Sequence, residues 1–295
     1  MQYLVLGADG YIGAYIYQNI IKEGLDVIGT SRRGISTNGL FYYDIRQNNI
    51  DDILDNIKDR EKAAIVCIAD ANIDSCLKNF DMAYGINVIG TKRLINRLAM
   101  EKFHIIFFSS DNVFDGKTGN YTEESPTNPI NKYGQMKAEM EQYLLDSVPE
   151  CCILRIPKVV SPLKTGANVF TQWENQIDRG VIQCIRGNKL SFVSIDDLYH
   201  VCRIMAERKI TGLYNVAGDV TYSRSELAQM FYNKKGIFNM TICECAVNSF
   251  GFYDNRPLNV GLNNHKFKSL TQYQFASMDC IIEQYLDNMN NTNNV

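Results

Sequence analysis

Gln2-Tyr3-Leu4-Val5-Leu6-Gly7-Ala8-Asp9-Gly10-Tyr11-Ile12-Gly13 is the stretch that decides the fold. An apolar strand, Gln2 to Leu6, runs into three glycines spaced three apart. A helical pattern through Ile16, Ile20 and Ile21 follows, ending near Gly24, and a second strand spans Asp26 to Gly29. In this strand–turn–helix–strand setting each glycine has a physical role. Gly7 permits the tight turn, Gly10 lets the backbone approach a pyrophosphate, and Gly13 lets the helix pack closely on the sheet. The free N–H groups and dipole of the helix N-terminus then hold the anion. Asp9, Tyr11 and Ile12 share this turn and are expected at the cofactor. The spacing is Gly-x-x-Gly-x-x-Gly, a departure from Gly-x-Gly-x-x-Gly.

After the second strand comes Thr30-Ser31-Arg32-Arg33. An acidic residue here would select the ribose 2′-hydroxyl of NAD, whereas Arg accommodates a 2′-phosphate. Ser31, Arg32 and Arg33 therefore favour NADP(H), with NAD(H) left open. Two solvated arginines covering a loop fit the same residues.

The alternation continues through a strand at Gly39 to Tyr43, a helix at Ile50 to Ile57 and a strand at Ala63 to Ala69. A long amphipathic helix, Met82 to Met100, follows, then a strand at His104 to Phe108, a helix at Gln135 to Leu145 and a strand at Cys152 to Ile156. Strands alternating with helices predict an α/β, Rossmann-type doubly wound parallel sheet, in which ligands bind beyond the C-terminal strand ends. Gly7, Arg32, Asp44, Ala69, Ser110 and Pro157 all fall just after strands, so they converge on one edge.

Tyr133 and Lys137 lie four apart, on one face of the helix. The Lys137 ammonium would pull the Tyr133 phenol below its usual value of about 10. A hydroxyl from Ser110 would complete a polar site around a carbonyl oxygen. Alone the pair is a weak signal, because a surface Tyr stacked on a Lys stem has the same spacing.

Beyond Pro157 the pattern loosens, with Pro162, Gly166, Gly180 and Gly187 as punctuation and the chain's only tryptophan, Trp173. Phe192 to Leu198 opens a helix that Asp196 or Asp197 is placed to cap. Leu213 to Val216 reads as a strand. Ser223 to Tyr232 reads as a helix with Ser223 and Glu226 in capping-box positions. The expected division is a dinucleotide-binding domain over 1–160 with 185–216 returning to it. A smaller α+β substrate-binding lobe covers 161–184 and 217–286, and a polar, disordered tail 287–295.

Composition narrows the function classes. A net charge of -3 is not that of a general nucleic-acid binder. No apolar run approaches the ~20 residues of a membrane span, and the N-terminus carries no signal-peptide pattern. Nine scattered cysteines suit a reducing cytoplasm. The Cys243-x-Cys245 pair has no second pair nearby, so no metal site is expected.

Together these residues resemble the extended short-chain dehydrogenase/reductase superfamily. Gly7-xx-Gly10-xx-Gly13 resembles its cofactor fingerprint, and Asp44-Ile45 the acidic residue that contacts the adenine ring. Asn87 in Asn-Val-Ile-Gly-Thr resembles its structural asparagine, and Ser110, Tyr133 and Lys137 its catalytic triad. Ser-Ser-Asp111-Asn112-Val-Phe-Asp-Gly is similar to the motif of the dTDP-4-dehydrorhamnose reductase-like branch. So are Leu154-Arg155, Gly212 to Gly218 and Arg256 to Leu262.

The resemblance implies NAD(P)H-dependent reduction of a nucleotide-linked 4-keto-6-deoxy sugar. Tyr133 would be the acid or base, Lys137 would lower its pKa and hold the nicotinamide ribose, and Ser110 would bind the same oxygen. It leaves a homodimer open. Asp111-Asn112 stands where related dehydratases carry Asp-Glu, which argues against water elimination. Asp111 itself reads as a turn-capping aspartate before a helper acid. At strand four, Ala69-Asp70-Ala71-Asn72-Ile73-Asp74 departs from the branch pattern, and Asp70 beside the nicotinamide would disfavour some anionic substrates. Asn168, Trp173, Arg186 and Arg256 are the remaining substrate candidates. Arg256 leads because a guanidinium suits a diphosphate, although a surface salt bridge would account for it equally. The competing functions are an NAD-dependent nucleotide-sugar 4-epimerase and a non-catalytic regulatory subunit.

Overall fold

Seven strands align side by side in the computed structural model, which describes residues 1–33, 39–47, 49–58, 61–165 and 168–292. In chain order these strands and the helices between them are β1 (Gln2–Leu6), α1 (Tyr11–Lys22), β2 (Asp26–Ser31), β3 (Leu40–Tyr42) and α2 (Asp51–Leu54). Next come β4 (Lys62–Val66), α3 (Ile73–Lys78), α4 (Phe80–Tyr84), α5 (Thr91–Met100), β5 (His104–Ser110), α6 (Lys132–Ser147) and β6 (Cys152–Ile156). The second half contributes β7 (Lys158–Val160), α7 (Val169–Glu174), β8 (Val181–Ile185), β9 (Phe192–Ser194), α8 (Ile195–Glu207) and β10 (Gly212–Asn215). It closes with α9 (Arg224–Lys234), β11 (Thr241–Cys245), α10 (His265–Thr271) and α11 (Met278–Thr292).

The central sheet has the order β10-β6-β5-β4-β1-β2-β3 and all its pairs are parallel. Both faces are covered, so β1 reads as a continuous buried run instead of an alternating one. One core packs Leu4, Leu6, Leu94, Ile95 and Met140 on one face; the other packs Tyr3, Val5, Ile16, Ile20 and Leu198 on the opposite face. Strand order reverses at β1, and the crevice between β1 and β4 is where a doubly wound sheet binds its ligand. A third core, built on Phe170, Trp173, Phe231 and Tyr285, joins α7, α9 and α11 beside the two-stranded β8–β11 sheet.

Several expectations change. The helix expected over Met82–Met100 is interrupted by a π-helical turn, Gly85–Gly90. Such turns occur mostly at functional sites. This one carries Asn87 to the end of β4, where its Oδ1 accepts from the Asp70 N–H and its Nδ2 donates to the Asp70 carbonyl, both at 2.8 Å. The strand expected to stop at Phe108 runs on to Ser110, and the helix expected from Gln135 starts at Lys132. Ser194, not Asp196 or Asp197, caps α8 by accepting from the Asp196 N–H. Those aspartates instead accept from the hydroxyls of Tyr15 and Tyr273. The capping box of Ser223 and Glu226 is present on α9.

The helix α11 runs to Thr292, so 287–292 is not the disordered tail its polar composition suggested. Ile281, Ile282 and Tyr285 bury one face and carry the helix onward. The tail's last three residues, like Gly166, lie outside the described residues.

Two glycines permit backbone contacts that no side chain would. A Cβ on Gly13 would lie 2.1 Å from the Gly7 carbonyl oxygen, and one on Gly134 would lie 2.0 Å from that of Asn112. The second contact seats α6 against the end of β5. Gly134→Ala is therefore expected to lower stability by about 1–3 kcal/mol in chemical denaturation. Gly85→Ala, where a Cβ meets nothing within 4 Å, should cost nothing.

Candidate functional site

The crevice at the β1–β4 reversal opens into a cavity of about 710 Å³ whose lining includes Gly7, Asp9, Gly10, Ser31, Arg32, Arg33, Asp44, Ile45, Ala69 and Asp70. Of the residues expected to converge at the strand ends, Gly7, Arg32, Asp44 and Ala69 line it, while Ser110 and Pro157 do not. Gly10 caps α1 without a side chain, and no acidic residue stands in the first turn, so the N–H groups of this helix end face no competing carboxylate. Tyr11 and Ile12 pack into the core beneath the turn. Neither they nor Gly13, Asn87 and Pro157 are among the cavity-lining residues. Asn87 acts on the cavity through the Asp70 backbone.

Three arginines, Arg32, Arg33 and Arg46, line the cavity together with Asp9 and Asp44. Arg33 pairs with Asp9 at 3.4 Å while remaining largely exposed. Asp44 accepts from Arg46 through the backbone N–H, Nε and Nη2, the last at 2.6 Å. That pairing outweighs burial and holds the Asp44 carboxyl down at about 2. Arg46 escaped the sequence reading; its only signal was a position two residues after Asp44.

Ser110, Tyr133 and Lys137 meet at the C-terminal end of β5, and none of the three is among the cavity-lining residues. Ser110 ends β5 and its Oγ accepts from the Asn112 N–H at 3.2 Å, capping the short turn Asp111–Val113. The turn-capping role expected of Asp111 thus belongs to Ser110. Asn131 caps α6 by accepting from the Gly134 N–H at 2.8 Å, and its Nδ2 donates to Asn112 Oδ1 at 3.0 Å. One side chain therefore ties the helix carrying Tyr133 to the turn carrying Asp111 and Asn112.

Lys137 is buried, with Nζ donating to the Phe108 carbonyl at 2.7 Å and lying 5.9 Å from the centre of the Tyr133 ring. Burial lowers its pKa to about 8. The Tyr133 phenol is not pulled down as the spacing suggested. Burial and then the neighbouring Asp111 charge push it above its usual value, while a hydrogen bond with Ser110 acts in the other direction. Desolvation outweighs a lysine whose ammonium is turned to a backbone carbonyl. The site thus holds a neutral phenol, hydrogen-bonded to a serine hydroxyl, able to give up a proton to an oxygen beside it.

Asp111 is buried and accepts from Ser110 Oγ at 3.1 Å and from Asn112 Nδ2 at 2.9 Å. Burial nevertheless raises its carboxyl to about 6.

The other substrate candidates divide. Arg256 Nη2 pairs with Asp74 at 2.9 Å, and its guanidinium stacks 4.3 Å from the Phe252 ring centre. Its loop also binds α6, since Asp254 accepts from the Lys132 N–H at 2.8 Å. Arg256 clasps its loop to α3, with its charge already answered by Asp74. Asn168 is a buried cap of α7 that donates to the Ser161 and Leu163 carbonyls, and Trp173 is a core residue; neither faces the cleft. Arg186 is exposed and donates to the Glu244 carbonyl at 3.0 Å. For Trp173, the apolar surface of the third core outweighs any use of its N–H in a pocket.

A parallel sheet with its nucleotide-type crevice, a glycine turn and a Ser-Tyr-Lys cluster at the strand ends defines an extended short-chain dehydrogenase/reductase fold. Residues 1–291 match the model described as RmlD substrate binding domain, and the chain belongs to that family. Among curated proteins it is 27% identical over 227 residues to methionine adenosyltransferase 2 subunit beta of Danio rerio, covering 76% of this chain and 68% of that protein. It is 25% identical over 177 residues to the probable low-salt glycan biosynthesis reductase of Haloferax volcanii, covering 59% of each.

Among solved structures, a dTDP-4-dehydrorhamnose reductase of Clostridium acetobutylicum superposes with a TM-score of 0.85 at 23% identity, over 98% of this chain and 100% of that one. The enzyme of the same name from Bacillus anthracis, in complex with NADP, gives 0.85 at 21% over 97% and 99%. UDP-glucose 4-epimerase of Thermotoga maritima, with UDP-glucose, gives 0.82 at 19% over 99% of each chain. At these identities the likeness concerns the fold. Among the described residues no helix is long and apolar enough to cross a membrane.

Asp111 supplies a test of this electrostatics. A carboxyl whose folded pKa is raised binds more protons folded than unfolded between about pH 4 and 6, so stability falls as pH rises through that window. Asp111→Asn removes the penalty. Above about pH 6 the variant should gain on the order of 1–3 kcal/mol over wild type, and the gain should vanish near pH 3 in pH-resolved denaturation curves.

Proposed function

We propose that this chain is an NAD(P)H-dependent reductase of a nucleotide-linked 4-keto-6-deoxy sugar. The observation that carries the reading is the meeting of Ser110, Tyr133 and Lys137 at the end of β5, on the same sheet edge as a cavity lined by the glycine turn. The cavity suits a dinucleotide by its helix end without a side-chain cap and by the arginines Arg32 and Arg33 in its lining. A bound nicotinamide would supply the hydride. The chain's own residues do the rest: Tyr133 gives a proton to the carbonyl oxygen, Ser110 orients that oxygen, and Lys137 holds positive charge beneath the phenol as it loses its proton. Arg32 and Arg33 support NADP over NAD, as does the complex of the Bacillus anthracis reductase with NADP. The Asn112 amide in place of a second carboxylate speaks against dehydration, since an amide is not a base.

A second reading has its own support. The Danio rerio relative is named as a subunit of another enzyme, and the same fold in such a setting would keep the nucleotide cavity while regulating a partner. The 4-epimerase reading rests on the Thermotoga maritima likeness and would demand NAD retained through the cycle.

The deciding experiment follows NADPH oxidation against a panel of 4-keto nucleotide sugars, with NADH in parallel. The reductase reading expects stoichiometric oxidation, faster with NADPH, and a fall in kcat/KM of about 10²–10⁴-fold in Tyr133→Phe. Tightly retained NAD with no net oxidation would establish the epimerase. Full biological activity in Tyr133→Phe would establish the regulatory subunit.

A further inference from the structure

Among the described residues the buried carboxylates are Asp44, Asp111, Glu123, Glu141 and Asp197. Four of them meet a cation or tie distant segments together. Asp44 takes Arg46, and Glu141 joins Arg155 to Ser109. Glu123 accepts from the Asn215 N–H at 2.7 Å, and Asp197 from the Tyr273 hydroxyl at 2.8 Å. Asp111 does neither. Its Oδ1 accepts from Ser110 Oγ at 3.1 Å and Asn112 Nδ2 at 2.9 Å, the residues on either side of it, and among the described residues it makes no ion pair. The turn does not need it, because Ser110 supplies the cap. A carboxyl buried without a structural task is costly to keep, and this one stands at the site.

The Ser110 hydroxyl lies between two groups that can exchange a proton with it. Its oxygen accepts from the Asn112 N–H at 3.2 Å and from Asn112 Nδ2 at 3.3 Å, so the Asn112 amide fixes where that oxygen sits. A serine has one O–H to give. Asp111 Oδ1 takes it at 3.1 Å, and the Tyr133 phenol is the other hydrogen-bond partner. The charged groups around this chain are few. Lys158 of β7 attracts the Asp111 carboxylate, while Asp111, Cys76 and Asp70 bear on the phenol. Lys137 turns its ammonium to the Phe108 carbonyl at 2.7 Å, away from a direct bond to the phenol. A phenol that gives up its proton here becomes a buried, strongly basic phenolate. The acid that Ser110 connects to it is Asp111, whose carboxyl releases its proton far more readily, at about pH 6. Transfer from carboxyl to phenolate runs downhill.

We infer that Asp111 is the proton store of Tyr133 and recharges the phenol through the Ser110 hydroxyl. As the carbonyl carbon takes hydride, its oxygen takes the Tyr133 proton, the phenolate takes the Ser110 proton, and Ser110 takes the carboxyl proton of Asp111. Three O–H bonds break and three form. The product keeps one proton, and the Asp111 carboxylate that remains recovers its own from water. Asp111 acts through Ser110 and touches neither the substrate nor the reacting oxygen. This deepens the proposed function, on whose carbonyl reduction it rests. It gives the aspartate a task distinct from capping the turn and from eliminating water.

The test has two arms, with NADPH binding as the control for an intact fold. Infrared difference spectra of the protein without cofactor follow the carboxyl C=O stretch against pH in wild type, Asp111→Asn and Ser110→Ala. The expected result is a protonated carboxyl that titrates near pH 6 in wild type. The band should be absent in Asp111→Asn and titrate at higher pH in Ser110→Ala, because the lost hydrogen bond favours the carboxylate. The second arm measures kcat for reduction of a 4-keto nucleotide sugar from about pH 5 to 8, in mixtures of light and heavy water. Wild type should lose about tenfold in kcat per pH unit above about pH 6, with a curved heavy-water dependence that shows more than one proton moving. Asp111→Asn should be slow, flat in pH and linear in heavy water, and Asp111→Glu should restore the falling limb. A falling limb that persists in Asp111→Asn, or a wild-type carboxyl ionised across the whole range, would overturn the inference. Infrared shifts as expected, with no NADPH oxidation on any 4-keto sugar, would keep the proton link between Asp111 and Ser110 and remove the reductase reading.

Discussion

Glu141 reaches from α6 to two strands at once, and the geometry of the site hangs on that reach. Its carboxylate takes Arg155 of β6 in a two-point contact, at 2.9 Å from Nε and 2.7 Å from Nη2, and also accepts from the Ser109 hydroxyl of β5. Both charged side chains are 3% exposed. Burying such a pair is poor evidence of net stabilisation, because desolvation offsets the attraction; leaving one partner unpaired, however, costs about 3–5 kcal/mol. The consequence is positional. Tyr133, Lys137 and Glu141 stand at i, i+4 and i+8 along one stripe of α6, so fixing Glu141 against β5 and β6 fixes the phenol and the ammonium against Ser110.

The other end of α6 is fixed by different means. Gly134 allows the helix to touch the Asn112 carbonyl, Asn131 bridges helix and turn, and the loop carrying Asp254 and Arg256 fastens the first turn of α6 to α3. A phenol held at both ends of its helix loses little orientational freedom when it must donate a proton. The buried stripe that secures this also desolvates Tyr133 and raises its pKa. Positioning and proton release are therefore opposed in this arrangement, and the hydrogen bond between Ser110 and the phenol, which acts in the lowering direction, is the local correction.

How far the sequence could be read follows from the range of the interactions involved. Gln2 to Gly13 and the alternation after it carried the sheet, because strand period, glycine spacing and apolar runs are local signals. Asn87 was legible by its motif, but the π-turn that delivers it to Asp70 was not, since nothing in Gly85–Gly90 marks an extra residue in the helix. The fate of Arg256 depended on Asp74, far away in the chain, and that of Trp173 on Phe231 and α11. Charge and aromaticity are visible in a sequence; their partners are not. The same limit hid Glu141, one polar residue among several on an amphipathic helix, whose partner only the β5–β6 register reveals.

The central claim is that the Glu141–Arg155 pair sets the place of α6, and a double-mutant cycle measures it most directly. Denaturation of Glu141→Leu, Arg155→Met and the double variant would be compared with wild type. Each single change is expected to cost about 3–5 kcal/mol and the double change far less than their sum. NADPH binding should weaken in the singles as Lys137 shifts. Strictly additive losses, with nucleotide binding unchanged throughout, would contradict the account.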